Sequence, residues 1–524
     1  MPTLTGSRRP TIRRHLLRCL VAPPCGVRGV RLSRRSSAPR SWHLLVALSL
    51  AFVVLLGGSR ELLAQQGDAA AGKVVYDRKC LLCHGEKGDG KGAAAELLVP
   101  RPRDFTSGLY KIRSTVNKTP TDQDVFNVIT NGMPGTSMPD WKVLPEKDRW
   151  NLVAYIKAFA GDKLKEAPKK VDLPKEVASS AESLKRGKEM FEAIECHKCH
   201  GNEGRADGPS RPELKDEWGQ PVAPANLAKR WNFRGGKDRK EIATRLAVGV
   251  LGTPMPAFLD AVEKPEDIWH VTNYVVSLGG EEPKFATLVT VTATKDAIPD
   301  DPAAEFWSKV PPNNLPLMGQ VIVDPRNFNP SIDLVTVRGA WNDKEIVFHL
   351  TWDDPTESKP DAAKKIFADA ISLQFPPKIT PGTERPYFLM GDDSEAVYLL
   401  RWEQGKGVIE AAANGPAKIK ALEGGEVNGK VVFKNGRYQL VMRRALAAKG
   451  DDRPTFQPGV FTPVAFQAWD GGEGETGARM SLTSWYYLRL EEPQSNRRFV
   501  VPPVVAILTL AAMFLVVRAA NRRR

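Results

Sequence analysis

Cysteine is scarce in this 524-residue chain. Of six residues, Cys19 and Cys25 lie in an Arg-rich leader, and the other four form two C-x-x-C pairs, Cys80/Cys83 and Cys196/Cys199. None is left over for a structural disulfide. Histidine is nearly as sparse: only His84, His197, His200, His270 and His349 lie beyond the leader. A multi-histidine metal centre would therefore have to draw on the two C-x-x-C-H motifs themselves. Long apolar runs are confined to 42–58 and 499–517, and mean hydropathy is -0.32, which excludes a polytopic membrane protein. Net charge is missing from the body as well. Eleven Arg within 1–60 and four after Val517 exceed the total of +14 by one, leaving -1 for 61–517. A nucleic-acid-binding body is thereby excluded. No paired carboxylates, nucleophile–base set or phosphate loop stands out, so catalysis by the chain alone is not expected.

The length predicts three or four domains at roughly 150 residues each. Residues 42–58, "WHLLVALSLAFVVLLGG", follow a purely basic segment and precede "ELLAQQ". They read as a secretory signal, with 1–65 as the leader; an uncleaved anchor helix is the alternative. The run 499–517 is long enough to span a membrane and is followed by "RAANRRR". Arg clusters favour the cytoplasmic side. The expectation is a single-pass protein of the cell membrane, anchored by its C-terminal helix, with its body on the periplasmic side.

An internal repeat organises the first half. "GKVVYDRKCLLCHGEKGDG" from Gly72 answers "GKEMFEAIECHKCHGNEGRADG" from Gly187. "GMPGTSMPDW" at 132–141 aligns with "GVLGTPMPAF" at 249–258, and "DRWNLVAYI" at 148–156 with "DIWHVTNYV" at 267–275. The cysteine motifs are offset by 116 residues and the Met-Pro pairs by 117, the mark of a duplicated domain. The copies span 66–165 and 181–281, with 166–180 as a Lys- and Pro-rich linker.

C-x-x-C-H is the attachment motif for c-type haem: two thiols add to the vinyl groups, and the adjoining His supplies one iron ligand. A zinc half-site or a thioredoxin-like redox pair are the alternatives, but neither repeat has further Cys and neither motif sits in a βαβ context. The sixth ligand must come from far along the chain. Met138 and Met255, each before a Pro, lie 54 and 55 residues after His84 and His200. Met133 is a rival in the first copy, but it aligns with Val250. His270 aligns with Asn151 and is a poor ligand candidate; Trp150 and Trp269 read as core. The pattern resembles class I cytochrome c over both copies. That resemblance implies a small all-α domain for each, with Gly72/Tyr76 and Gly187/Phe191 on an N-terminal helix crossing a C-terminal one. It also implies His84/Met138 and His200/Met255 ligation, which favours ferrous iron and electron transfer.

From about 285 the apolar period becomes two. "LVTVTAT", "LVTVRGAWNDKEIVFHLTW", "AISLQF", "AVYLLRW", "VVFKNGRYQLVMRRAL" and "TPVAFQAWDG" read as strands, with hairpin turns at "AWNDKEI" and "FKNGRYQ". The expectation is an all-β sandwich over 285–493. "FWSKVPPNNLPLMGQ", "FHLTWDDPT", "YFLMGDDSEAVYLLRW" and "FTPVAFQAWDGGEGETGARMSLTSWYYLRL" resemble the haem b (gamma) subunit of ethylbenzene dehydrogenase and related enzymes of the type II dimethyl sulfoxide reductase family. That family holds one non-covalent haem b between its sheets on a Met and a Lys. Met318 matches the early Met position, with Met390 as runner-up. Lys418 and Lys406 are both eligible, and Asn414 stands near the family's Lys place. His349 reads as a strand residue.

The fold class expected is thus two all-α cytochrome c domains, an all-β sandwich and one C-terminal transmembrane helix. The function implied is a multihaem electron-transfer subunit with two haem c and one haem b. Its implied partners are a molybdopterin catalytic subunit, an iron–sulfur subunit, and a redox cytochrome or membrane complex. A stand-alone haem sensor, or a cytochrome enzyme with an open haem site, is the alternative.

Overall fold

The computed structural model describes residues 67–328, 330–378, 385–447, 450–492 and 497–522. The leader expected at 1–65 lies outside the described residues.

In the first repeat, α1 (Ala69–Lys79) starts where the Asp68 carboxylate accepts from the N–H of Ala70 at 2.8 Å. It runs into the motif turn α2 (Leu81–His84). α3 (Asp122–Asn131) opens on a capping box between Thr121 and Asp124, and α4 (Glu146–Ala158) closes the unit. The second repeat reproduces this order with α5 (Ala181–Ala193), α6 (Cys196–His200), α7 (Arg239–Val248) and α8 (Asp267–Leu278). Each pair of terminal helices crosses at a glycine. A Cβ on Gly72 would stand 2.1 Å from the Asn151 carbonyl oxygen, and one on Gly187 would stand 2.0 Å from that of His270. One turn later Tyr76 meets Tyr155 edge-on at 5.2 Å, and Phe191 meets Tyr274 in the same way at 5.3 Å. The duplication read from sequence is therefore a duplication of packing.

Residues 166–180 are strapped to both repeats. Val116 N–H donates to the Lys169 carbonyl, and Trp269 Nε1 donates to that of Pro174 at 2.8 Å. Leu173 and Val177 pack into the second apolar core. Its Lys and Pro suggested a linker; the apolar residues between them are what dock it.

The second half builds fourteen strands among the described residues. They are β1 (Val289–Ala293), β2 (Asn313–Pro316), β3 (Met318–Gly319), β4 (Leu334–Trp341), β5 (Glu345–Asp353), β6 (Ala370–Phe375) and β7 (Val397–Glu403). The others are β8 (Gly407–Ala413), β9 (Ile419–Ala421), β10 (Val427–Phe433), β11 (Arg437–Ala445), β12 (Phe461–Trp469), β13 (Ser481–Leu482) and β14 (Tyr486–Leu490). Their order is β10-β11-β5-β4-β1-β14-β12-β6-β7-β8-β9. β12 is the corner: Phe461–Val464 pair with β14 in one layer, and Ala465–Trp469 pair with β6 in the other. Leu350 and Leu440 of the first layer and Leu373, Leu400 and Phe466 of the second share one buried core, the mark of two packed layers. β1 runs parallel to both neighbours, so the sheet is mixed. The β10–β11 turn carries Asn435 and Gly436 at φ 49° and 67°, as a type I′ hairpin requires.

A single turn, α9 (Phe306–Lys309), lies between β1 and β2, and the last helix, α10 (Arg497–Asn521), is apolar and exposed over Val500–Asn521. At about 1.5 Å per residue it is long enough to cross a membrane.

Candidate functional site

The motif turn α2 places Cys80, Cys83 and His84 on one wall of an apolar cleft of about 1270 Å³, measured to include space open to solvent. Met133, Met138, Val125, Ile129 and Leu152 line it too. His84 Nδ1 lies 3.1 Å from the Arg103 carbonyl oxygen. A carbonyl only accepts, so Nδ1 carries the proton and Nε2 keeps its lone pair, the form that binds a metal. Burial pushes the imidazole below its ordinary pKa, and Phe105 stacks on it at 4.5 Å. Burial also pushes the Cys80 thiol up to about 12.

The second motif repeats the arrangement. His200 Nδ1 donates to the Ala225 carbonyl at 2.8 Å, and burial lowers its pKa likewise. A proline precedes each accepting residue, Pro102 and Pro224, a signal the sequence reading did not use. The methionine loops match atom for atom. Met133 N–H donates to the Met138 carbonyl at 3.0 Å, and Val250 N–H to that of Met255 at 3.1 Å. Thr136 Oγ1 and Thr253 Oγ1 accept from the N–H of Met138 and Met255. Met138 and Met255 are structural equivalents, and Met133 pairs with Val250, as the alignment has it. Free thiols and an imidazole with Nε2 left unprotonated recur in both copies, and in the first an apolar cleft adjoins them; these groups fit a covalent haem.

The two copies meet edge to edge. Arg103 pairs with Glu217, and Arg113 donates to the carbonyls of Val248 and Gly249 beside the second methionine loop. Arg234 of the second copy reaches the Pro134 carbonyl at 3.3 Å and lines the first cleft. Arg103, Lys111 and Arg234 thus bring cations to that cleft. Burial, with Arg103 adding, depresses Lys111 to about 8.

The second copy is bolted to the β-sandwich through Asp353. This carboxylate pairs with Arg437 at 2.7 Å, Arg205 at 3.6 Å and Lys229 at 3.9 Å, and accepts from Asn226 at 3.1 Å. Burial alone would raise its pKa; the three cations hold it below the usual carboxylate range. Asn226 follows Ala225, so the loop that orients His200 is fixed directly to the sandwich. Lys229 and Asn232 also bind Asp333, and Arg211 binds Glu473 at 2.6 Å. None of these residues was singled out from the sequence, because nothing local distinguishes them from surface charges.

Side chains of the two layers pack into one buried cluster between the sheets, where the resemblance implied the haem b. The outer face of the β6–β7–β8 layer is covered by apolar side chains. Leu389, Met390, Trp469, Met480 and Leu482 form a separate buried cluster there, with Phe388, Ile419 and Trp485 against it. Met318 pairs with Leu482 and stands at the rim, 68 % exposed, beside exposed Val321 and Ile322. Met390 is fully buried, at φ 62°. Lys418 hangs beside it, since Gly415 N–H donates to the Met390 carbonyl and Asn414 N–H to that of Lys418, while its amine pairs with Asp393. Lys406 lies at the opposite end of β8, paired with Glu403 at 2.7 Å, roughly 20 Å away at a strand rise of about 3.3 Å per residue. The structure therefore sets Met390 and Lys418 at one end of this layer and Met318 at its other edge, with β13, β12, β6 and β7 between β3 and β8, and leaves Lys406 at the far end of β8. His349 is buried in its strand against Trp307 at 5.1 Å.

Comparison with known proteins agrees with this geometry. Residues 67–156 match the family described as cytochrome c oxidase, cbb3-type, subunit III; residues 184–279 match cytochrome c; residues 304–405 match ethylbenzene dehydrogenase. Cytochrome c-554(547) of Halothiobacillus neapolitanus is 34% identical over 94 residues, covering 17% of this chain and 94% of that protein. The chain belongs to the cytochrome c family, and joins two such domains to an ethylbenzene-dehydrogenase gamma-like domain. A Haloferax mediterranei protein named as a respiratory nitrate reductase heme subunit is 28% identical over 220 residues, 42% of this chain and 76% of that protein. The chlorate reductase subunit gamma of Ideonella dechloratans is 21% identical over 223 residues, 42% of this chain and 91% of that protein.

Proposed function

We propose that the chain is the membrane-tethered, multihaem electron-transfer subunit of a periplasmic molybdopterin oxidoreductase, relaying electrons between that enzyme and a respiratory chain. One observation carries the reading: the two C-x-x-C-H repeats and the gamma-like domain are packed in series, with the His200 loop held by the sandwich and Arg234 of the second repeat lining the first cleft. Likeness to nitrate and chlorate reductase subunits supports the partner class, and an iron–sulfur subunit between them completes the path.

In this reading Cys80/Cys83 and Cys196/Cys199 would hold two haem c through thioethers, and His84/Met138 and His200/Met255 would supply the iron ligands. Haem so held would supply a one-electron carrier. The protein's share is positioning and electrostatics. Arg103 and Ala225 orient the two imidazoles through their carbonyls. Arg103, Lys111 and Arg234 offset propionate charge at the first cleft, and Phe105 keeps water from His84. For a haem b on the outer cluster, Met390 and Met480 would offer enclosed thioethers, Met318 an exposed one, and Lys418 an amine at the edge. The C-terminal helix anchors the body, with Arg518 and Arg522 on the cytoplasmic side.

Purification of the tagged full chain from native membranes tests this. Co-purification of stoichiometric molybdenum with an iron–sulfur subunit is expected. A chain that is isolated without molybdenum, and whose haems take up an external small ligand, would favour the sensor or enzyme reading.

A further inference from the structure

Four carboxylates are buried together at one end of the sandwich: Asp354, Asp369 and Asp470 at no more than 1 % exposure, with Glu475 beside them at 1 %. They come from both layers. Asp354 follows β5, Asp369 precedes β6, and Asp470 follows β12. Asp354, Asp369 and Asp470 each offer an oxygen, and these oxygens lie within 4.8 Å of one another. Oxygens bound to one Ca²⁺ at about 2.4 Å can be no farther apart than about 4.8 Å.

The hydrogen bonding leaves the cluster incomplete. Asp369 is satisfied, accepting from Tyr438 Oη and the N–H groups of Ser358 and Gly471. Asp354 Oδ1 accepts from Thr356 N–H, and Asp470 Oδ1 from Glu473 N–H. Asp354 Oδ2 and Asp470 Oδ2 accept nothing, although both side chains are buried. The Ser331 hydroxyl stands beside the Asp470 carboxyl. Among the described residues no Lys, Arg or His forms an ion pair with any of the four; the nearby cations are taken by Asp353 and Glu473. Buried charge left unpaired in this way is strongly unfavourable. Burial and mutual repulsion accordingly push Asp354 and Asp470 up.

We propose that Asp354, Asp369 and Asp470, with the Ser331 hydroxyl and water, bind one Ca²⁺ that ties the two layers together. The donor set is all oxygen, without the imidazole or thiolate that would select zinc or copper. A protein-made, charge-rich cage suits Ca²⁺ over Mg²⁺, which keeps most of its water. The binding site stands independently of the electron-transfer reading. Its consequence for that reading is specific: the neighbours Asp353 and Glu473 hold the second cytochrome domain through Arg205, Lys229 and Arg211, so the ion fixes the platform on which that domain docks.

The full chain in detergent, stripped with chelator and dialysed, tests the site by calorimetric titration with CaCl₂ and by thermal unfolding. One equivalent of Ca²⁺ is expected to bind and to raise the unfolding temperature of the sandwich by several degrees, with Mg²⁺ binding at least tenfold more weakly. The double variant Asp354→Asn/Asp470→Asn should bind no Ca²⁺ and, in chelator, should melt above the stripped parent, because the repulsion is gone. Elemental analysis of the parent, purified without chelator, gives a readout that needs no variant and should find about one calcium per chain. Parent protein that contains no calcium and takes none up would overturn the proposal, leaving the carboxyls to share protons. Mg²⁺ binding as tightly as Ca²⁺ would overturn the choice of ion.

Discussion

Replacing Asp353 by Asn should loosen the second cytochrome domain from the sandwich while each keeps its own fold. Asp353 is 6 % exposed and faces three cations within 3.9 Å. Removing one partner from a buried ion-pair network costs about 3–5 kcal/mol, because the remaining charges are left uncompensated. Here the lower end applies. Lys229 keeps Asp333, Arg205 keeps Glu203, and the Arg437 side chain, 38 % exposed, can be rehydrated. A loss of about 3 kcal/mol corresponds to roughly a hundredfold rise in the open population. Hydrogen exchange read by mass spectrometry should show it: amides of 225–227 and of 434–437 should exchange about a hundredfold faster, while the α1–α4 crossing in the first repeat is unchanged. The His200 imidazole depends on Ala225 in the same loop, so the second haem's spectrum should broaden and the first haem's should not. Unchanged exchange at 225–227, or equal acceleration across all three domains, would refute the reasoning. In the first case the network would be surface screening, and in the second the three domains would unfold as one.

Three further outcomes follow from the site. Met138→His should keep low-spin iron in the first repeat and lower that haem's potential, since imidazole lacks the thioether's preference for ferrous iron; a shift in Met133→His and not in Met138→His would show that the shared loop geometry does not set ligation. Met390→Ala or Met480→Ala should abolish acid-acetone-extractable haem more completely than Met318→Ala, which sits at the exposed rim; the reverse order would move the haem b site to the edge strand. Arg186, bonding Asp267 at 2.8 Å, holds that carboxyl below its usual range. A depressed folded pKa means that stability is present above the unfolded value of about 3.9 and is lost as pH falls through the folded one. Asp267→Asn should therefore weaken the second repeat at neutral pH and flatten its acid-unfolding profile below about pH 4; parallel profiles for both proteins would contradict this.

What the sequence made legible was whatever repeats or lies close in the chain. C-x-x-C-H spans five residues, so its chemistry is local. The glycines at 72 and 187 could be recognised because the chain states the same helix crossing twice, and Met138 was separable from Met133 only because the second copy carries Val250 in place of the rival. The sandwich was legible as strands through its two-residue period, and as hairpins through Asn435–Gly436, but the parallel placement of β1 between β4 and β14 joins residues about 50 and 200 positions apart, which no local pattern encodes. The haem b ligands fall between these cases. Met390 and Lys418 meet only because the turn after β8 returns to Met390, whereas Met318 is carried across the layer to β3 and Lys406, twelve residues from Lys418, to the far end of β8. Asp353 and Asp354 make the point most sharply. They are adjacent and chemically identical, yet alternation along the strand end turns one toward three cations of the cytochrome interface and the other into a pocket of carboxylates. Composition cannot tell them apart; only the sides of the sheet they face can.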